Sequence, residues 1–138
     1  MIQKMSHATI YVLDQDQAKE FYVEKLGFEL KADFAGPNGF RWLAVAPKGQ
    51  PEFEIALVKV GSASKMDESE LNAMTALVKK GMLSAGAFQT ADCRKTFEEL
   101  KAKGVEFVAE PKDEFFGVLA IFKDPFGNSF SMTQPKHK

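Results

Sequence analysis

Thiol and imidazole side chains, the usual nucleophiles and ligands of transition metals, are few in this sequence. There is one cysteine, Cys93, and there are two histidines, His7 and His137. Cys93 follows Asp92 at a predicted helix start, where the helix dipole can lower the pKa of a thiol and favour the nucleophilic thiolate. We favour a simpler interpretation, in which Cys93 is a small residue in the first turn. A single cysteine forms no internal disulfide, which is typical of a cytoplasmic protein.

A tight turn near the C-terminus holds another candidate, Asp124. It lies in the stretch IFKDPFGNSF (residues 121–130), between two apolar runs. Aspartate can cap such a turn, Pro125 fixes φ and Gly127 takes a positive φ. We expect the turn to set the register of a β-hairpin, and we prefer this structural role to a catalytic one.

Composition narrows the class of protein. The chain has 138 residues, of which 45% are hydrophobic, so it can form one domain or two fused modules with a real core. Its 18 Lys and Arg are interspersed with 19 Asp and Glu, so we expect no nucleic-acid partner and no membrane surface. No apolar run approaches the roughly 20 residues that span a bilayer. The N-terminus lacks the apolar core of a signal peptide.

The sequence repeats a strand–helix–three-strand plan. Residues 6–13 alternate as a strand does, Asp14 or Asp16 can cap the helix that follows, and Gly27 can end it. A helix ending at Gly104 takes the same place in the second copy. The other predicted strands cover residues 28–34, 40–46, 52–60, 83–90, 105–111, 116–123 and 128–134.

These patterns divide the chain into three parts. A first βαβββ module covers residues 1–60, a connection with its own helix covers 61–83, and a second βαβββ module covers 84–135. In the connection, Asp67 and Glu70 form a predicted capping box. We assign the apolar stripe of that helix to packing.

Three stretches resemble a known superfamily: HATIYVLDQDQAKEFYVEKLGFEL, GVEFVAEP and IFKDPFGNSFSM. They are similar to the vicinal oxygen chelate superfamily of glyoxalase I, bleomycin-resistance proteins and extradiol dioxygenases. The resemblance covers nearly the whole chain. It implies an α+β fold in which two βαβββ modules form an open, barrel-like cup. It also implies a homodimer, with ligand sites where the modules meet.

Metalloenzymes of this superfamily carry their ligands on the first and last strands of each module. The resemblance places those positions at His7, Ala56, Ala85 and Ser131. Alanine has no donor atom and a neutral serine hydroxyl is a poor ligand, so His7 is the one suitable residue. We therefore expect no cofactor, and we expect His7 to be either a buried, hydrogen-bonded residue or part of a pocket wall.

A divalent metal is the alternative. Glu54 lies two residues before Ala56, on the same face of the strand, and could join His7 as a shifted ligand. The two residues together fall below the usual three ligands, and His137 lies in the charged tail PKHK. A shifted site would make the protein a divergent lyase, isomerase or dioxygenase.

Without a metal, the cup becomes a small-molecule site with apolar walls and a few hydrogen-bonding groups. We expect an aromatic or dicarbonyl-derived ligand, since flat molecules stack on aromatic side chains. Arg41 could meet an anionic group, although a solvated Arg41 is the simpler interpretation. A scaffold protein with a filled cavity is a third hypothesis. The residues assigned to the ligand are His7, Thr9, Tyr11, Trp42, Ala56, Gln89, Phe116 and Ser131, with Phe40, Phe53 and Phe115 as further walls.

Overall fold

The computed structural model describes residues 1–83 and 85–136, in two compact units, Met1–Val78 and Lys79–Lys138. Each unit contains one four-stranded sheet and the order β-α-β-β-β. The predicted α+β fold of two βαβββ modules is therefore confirmed. Within the described residues, no helix is both long enough and apolar enough to cross a membrane.

The first unit has a mixed sheet. Its elements are β1 (His7–Val12), α1 (Gln15–Lys19), a π-helical segment (Glu20–Lys25), β2 (Glu29–Ala35), a 3-10 turn (Pro37–Gly39), β3 (Arg41–Ala46) and β4 (Glu54–Lys59), followed by the connecting helix α2 (Glu68–Lys79). The strand order is β1-β4-β3-β2. β1 is parallel to β4, and the other neighbours are antiparallel.

The helix after β1 begins and ends as the sequence predicts. The Asp14 carboxylate accepts a hydrogen bond from the backbone N–H of Gln17 at 2.9 Å, and Gly27 has a φ of 75°. The middle of the helix differs from the prediction, because it widens into π-helical turns. Phe21 and Tyr22 are both buried there, with ring centroids 5.0 Å apart. A wider turn reduces the angle between adjacent side chains, which suits two neighbouring buried rings.

The largest fully buried side chains in the sheet of the first unit lie on one face. Ile10, Val12 and Leu57 alternate with residues of the opposite face and are buried, as are Phe21 and Tyr22 of the helix. Burying each such side chain stabilises the folded state by about 1.5–3 kcal/mol relative to leaving it in water. The other face also contains buried residues, but they are smaller, among them Ala44, Ala56 and Val58.

The connecting helix α2 begins with the predicted capping box. The backbone N–H of Glu70 donates to the Asp67 carboxylate at 2.8 Å, and the backbone N–H of Asp67 donates to the Glu70 carboxylate at 3.0 Å. Two backbone donors at the helix start are thus satisfied reciprocally.

The second unit repeats the plan with a shorter first strand. Its elements are β5 (Gly86–Gln89), α3 (Cys93–Ala102), β6 (Glu106–Glu114), β7 (Gly117–Lys123) and β8 (Ser129–Pro135), and the strand order is β5-β8-β7-β6. The predicted strand at residues 83–90 is wrong at its start, because pairing with β8 begins at Gly86 and Phe130. Ala85 therefore precedes the strand, and Ser84 lies outside the described residues.

The turn between β7 and β8 is built around Asp124. One oxygen of its buried carboxylate accepts from the backbone N–H groups of Phe126, Gly127 and Asn128 at 2.9, 3.0 and 2.9 Å. The other oxygen accepts from the Asn128 carboxamide at 2.8 Å. These bonds close the hairpin that joins Lys123 to Ser129, so the predicted structural role is confirmed.

Candidate functional site

One face of the first sheet gathers residues that the sequence assigns to a ligand. The parallel register places His7 beside Glu54 and Thr9 beside Ala56. The antiparallel register then places Ala44 of β3 beside Ala56. Side chains alternate along each strand, so these residues share a face. We call it the His7 face, and it comprises His7, Thr9, Tyr11, Trp42, Ala44, Glu54 and Ala56.

The aromatic rings of His7 and Trp42 meet on this face. Their centroids are 5.5 Å apart and their planes are perpendicular. Strand β4 lies between β1 and β3, and its residue Ala56 lies midway between the levels of the two rings. A methyl side chain leaves room for the rings to approach each other over it. Phe40 extends the aromatic surface, with its ring centroid 6.3 Å from that of Trp42.

The structure contradicts one of the two predictions made for His7. His7 is exposed, so the expectation of a buried histidine is wrong. Its Nδ1 lies 3.1 Å from the hydroxyl oxygen of Ser6. An exposed ring in contact with Trp42 is compatible with the pocket wall that the sequence offered as the other interpretation.

His7 and Glu54 also form the pair that the metal hypothesis needs. They are register partners on adjacent parallel strands. However, among residues 1–83 and 85–136, no three His, Cys, Asp or Glu side chains gather into a group that could hold an ion. Two ligands are fewer than metal centres usually have. His137 lies outside the described residues.

Arg41 belongs to an ionic cluster rather than to the His7 face. Its guanidinium donates to both oxygens of Asp33 at 2.8 and 3.0 Å and to Asp16 at 2.7 Å. Lys19 donates to Asp33 at 2.9 Å. The hydrogen bonds from Arg41, and next those from Lys19, hold the pKa of Asp33 well below its usual range. Both sequence interpretations of Arg41, an anion contact and a solvated side chain, are therefore replaced by this bidentate pair.

Gln15 connects two strands of this sheet, and no sequence pattern pointed to it. Its carboxamide nitrogen donates to the backbone carbonyls of Arg41 in β3 and Leu57 in β4, at 3.2 and 2.8 Å. The paired residues of β3 and β4 include Ala44 and Ala56. The hydrogen bonds from Gln15 connect the same two strands outside this paired region. The spacing of polar residues along the helix could not reveal this, because both acceptors belong to the backbone.

A pocket of about 470 Å³ adjoins the Phe40 end of the His7 face. It lies between the 3-10 turn and the segment after β4. Asn38 in that turn has a φ of 60°, a conformation that asparagine tolerates better than most residues. The turn residues in AGPNG signalled the loop but gave no sign of the pocket. Its lining residues are Pro37, Asn38, Gly39, Phe40, Ser62 and Ala63.

The remaining predicted residues belong to the second unit. Gln89 of β5 pairs with Thr133, and Ser131 of β8 pairs with Ala87. Phe116 lies in the turn between β6 and β7, where it is exposed. Phe115 is its neighbour there, with ring centroids 5.2 Å apart, and Phe53 is half-buried in the turn before β4 of the first unit. The eight predicted residues thus fall into two groups: five in the first unit and three in the second.

Comparison with known proteins identifies the family. The sequence model of the Glyoxalase/Bleomycin resistance protein/Dioxygenase superfamily matches residues 4–132. The chain belongs to this superfamily. It is 35% identical to the protein YetH of Bacillus subtilis (strain 168) over 135 residues, which are 97% of this chain and 100% of YetH.

Two solved structures are similar to this chain over nearly its whole length. The chain is 44% identical to UcmS2, with a TM-score of 0.90 over 96% of this chain and 98% of UcmS2. It is 33% identical to TnmS3, an antibiotic binding protein from Streptomyces sp. CB03234, with a TM-score of 0.75 over 98% of both chains. The resemblance carried by the sequence motifs is confirmed.

In this superfamily member, Cys93 serves packing. Its side chain is fully buried, and the thiol lies 3.6 Å from the carbonyl oxygen of Met132. Burial raises the pKa of the Cys93 thiol. Its backbone N–H donates to the carboxamide oxygen of Gln134 at 2.9 Å. The interpretation of Cys93 as a small first-turn residue is confirmed, and no thiolate nucleophile is available there.

Proposed function

We propose that this member of the superfamily binds a small, flat, aromatic molecule on its His7 face, without a complete metal site. The observation that carries the proposal is the perpendicular contact between His7 and Trp42. It holds a half-buried indole beside an exposed imidazole, with small side chains beneath them. A flat ligand stacked there would gain about 0.5–1.5 kcal/mol per aromatic contact beyond burial.

The similarity to TnmS3 supports the same class of ligand. TnmS3 is an antibiotic binding protein, and it aligns with 98% of this chain at 33% identity. An aromatic antibiotic combines planar rings with peripheral polar groups. Such a molecule suits a surface that offers the ring of Trp42 together with His7 and Thr9 as hydrogen-bonding groups.

Substitution of Trp42, the only tryptophan in the sequence, tests the proposal. Calorimetric titrations and thermal-shift assays should be run with daunorubicin and bleomycin as aromatic probes and kanamycin as a non-aromatic one. A probe at 100 times its Kd should add about 2.7 kcal/mol of stability. Trp42→Ala should weaken binding at least tenfold. Leu77→Ala, at an exposed position of α2, is the control and should leave binding unchanged.

Two outcomes would contradict the proposal. One is the absence of any binding by the aromatic probes, which would favour the scaffold hypothesis. The other is equal affinity in the wild type and Trp42→Ala, which would move the ligand away from the His7 face. Analytical ultracentrifugation tests the homodimer that the resemblance implies. A single species at the chain mass of 15.3 kDa would overturn it.

A second candidate function is a divergent metal-dependent lyase, isomerase or dioxygenase. The register pairing of His7 with Glu54 favours it. Metal analysis of protein purified without chelator decides between the candidates. Stoichiometric metal in the wild type that is lost in both His7→Ala and Glu54→Ala would establish this alternative. Wild-type protein without metal, after incubation with Zn²⁺, Ni²⁺ and Fe²⁺ followed by desalting, would exclude it.

A further inference from the structure

The pocket beside Phe40 continues the aromatic surface of the His7 face. Ring contacts run from His7 to Trp42 at 5.5 Å and from Trp42 to Phe40 at 6.3 Å, and Phe40 also lines the pocket. The pocket volume of about 470 Å³ lies within the range of small-molecule sites. A ligand stacked on Trp42 would therefore extend a substituent into this pocket.

The lining of the pocket is uncharged, and two of its side chains, Asn38 and Ser62, are polar. None of the six lining residues is ionisable. In the described part of the chain, the Asn38 carboxamide has no hydrogen-bond partner, so its two donors and its oxygen are available. The Ser62 hydroxyl donates to the carbonyl oxygen of Lys59 at 2.7 Å, which leaves its own oxygen as an acceptor. Phe40 supplies an apolar ring beside these groups.

We infer that this pocket is a second subsite, which takes an uncharged, polyhydroxylated substituent, such as a neutral sugar, of the ligand. The inference rests on the proposed function. A sugar ring presents C–H groups that can pack on Phe40, and hydroxyls that can exchange hydrogen bonds with Asn38 and Ser62.

Other substituents suit the pocket less well. A carboxylate would find no cation among the six lining residues, and the guanidinium of Arg41, which follows Phe40 in the sequence, is held by Asp33 and Asp16. A purely apolar group would remove water from Asn38 and Ser62 without replacing its hydrogen bonds, which costs free energy.

Three matched flavone probes test the subsite by calorimetry: apigenin, apigenin 7-O-glucoside and apigenin 7-O-glucuronide. The glucoside should bind about tenfold tighter than the aglycone, as expected for one or two added hydrogen bonds. The glucuronide differs from the glucoside by one carboxylate, and it should lose that advantage. Equal affinity of glucoside and aglycone would overturn the subsite, as would failure of the glucoside to bind.

Variants locate the effect. Asn38→Gly removes the carboxamide while tolerating the positive φ, and it should reduce the affinity for the glucoside to that for the aglycone. Asn72→Ala, at an exposed position of α2, is the matched control and should retain the advantage. The side-chain amide NMR signals of Asn38 should shift with the glucoside and stay unchanged with the aglycone. A glucoside advantage that survives Asn38→Gly would also overturn the subsite.

The two proposals fail in different ways. Loss of aglycone binding in Trp42→Ala tests the stacking surface of the proposed function. Loss of the glucoside advantage in Asn38→Gly tests the subsite. An aglycone that binds through Trp42 while the glucoside binds no better would leave the proposed function standing and refute the subsite alone.

Discussion

His7 and Trp42 touch edge to face, with their centroids 5.5 Å apart, although β4 separates their strands. Ala56 of β4 lies between the levels of His7 and Trp42 in the sheet and is 1% exposed. A larger residue there would occupy the space in which the rings meet.

Ala56→Leu should separate the two rings and destabilise the protein. Overpacking a buried position typically costs about 1–3 kcal/mol. Trp42 should become more exposed, so its fluorescence emission should move to longer wavelength in the native protein. Ala73→Leu, at an exposed position of α2, is the control and should change neither property. Unchanged emission and stability in Ala56→Leu would show that Ala56 does not limit the contact.

Asp33 should make stability depend on pH in the acid range. Arg41, and then Lys19, lower its pKa in the folded protein. Its contribution is therefore present above the unfolded pKa of about 4 and is lost as pH falls through the folded pKa. Asp33→Asn should cost about 1–2 kcal/mol at pH 7, which allows for solvent screening. Urea unfolding between pH 7 and pH 2 measures both effects.

The control for this prediction is Asp16→Asn. Asp16 also binds Arg41, but its side chain is 88% exposed. Asp16→Asn should therefore lower the free energy of unfolding by less than Asp33→Asn does. If both variants lose the same free energy and the same pH dependence, the bidentate Asp33 pair is not the main source of acid sensitivity.

Gln15 should hold β3 and β4 together near the end of their ladder. Gln15→Glu replaces the N–H donors with a carboxylate facing two carbonyl oxygens. We expect a loss of about 1–3 kcal/mol, because both acceptors lose their partner. Hydrogen exchange should accelerate at the backbone amides of β3 and β4. Gln17→Glu, at an exposed position of α1, should leave exchange unchanged, and equal exchange in both variants would contradict the role of Gln15.

Two aspartates accept hydrogen bonds from backbone N–H groups, and replacing each with alanine should lower the free energy of unfolding by a different amount. Asp124→Ala removes the carboxylate oxygen that accepts from three buried backbone N–H groups, and of these the N–H of Gly127 also donates to the backbone carbonyl of Asp124. An unsatisfied buried donor costs about 1–3 kcal/mol, so a loss above about 3 kcal/mol is expected. Asp92→Ala removes one exposed N-cap bond, to Lys95, and should cost about 1 kcal/mol. Denaturant unfolding compares them. A larger loss for Asp92→Ala would show that the β7–β8 turn is stabilised in another way.

Cys93 should be unreactive in the folded protein. Its burial and raised pKa keep the thiol protonated and covered. Ellman's reagent should detect far less than one thiol per native chain at pH 8 and one thiol after denaturation in guanidinium. Rapid native labelling would show that α3 opens readily at its N-terminus.

Local signals in the sequence accounted for most elements of the fold. The alternation of residues 6–13 predicted β1, Asp14 and Gly27 marked the ends of the first helix, and the Asp124 turn marked the β7–β8 hairpin. The helix start and the turn were predicted because their hydrogen bonds join residues only a few positions apart. The strand β1 was predicted because the alternation of its own residues reveals it, although its partner β4 lies far along the chain. The π-helical turns were missed, because their width goes with the burial of adjacent rings rather than with a local motif.

Some features of the candidate site could likewise be predicted from the sequence, and others could not. By itself, the sequence placed His7, Thr9 and Tyr11 on one face of a strand and Glu54 and Ala56 on one face of another. The tertiary structure alone decided that His7 lies beside Glu54, that Trp42 reaches His7, and that Arg41 binds Asp33. Periodicity fixes which side of its own strand a residue occupies. Register and side-chain contacts between distant segments depend on the packing of the whole unit, which no local pattern encodes.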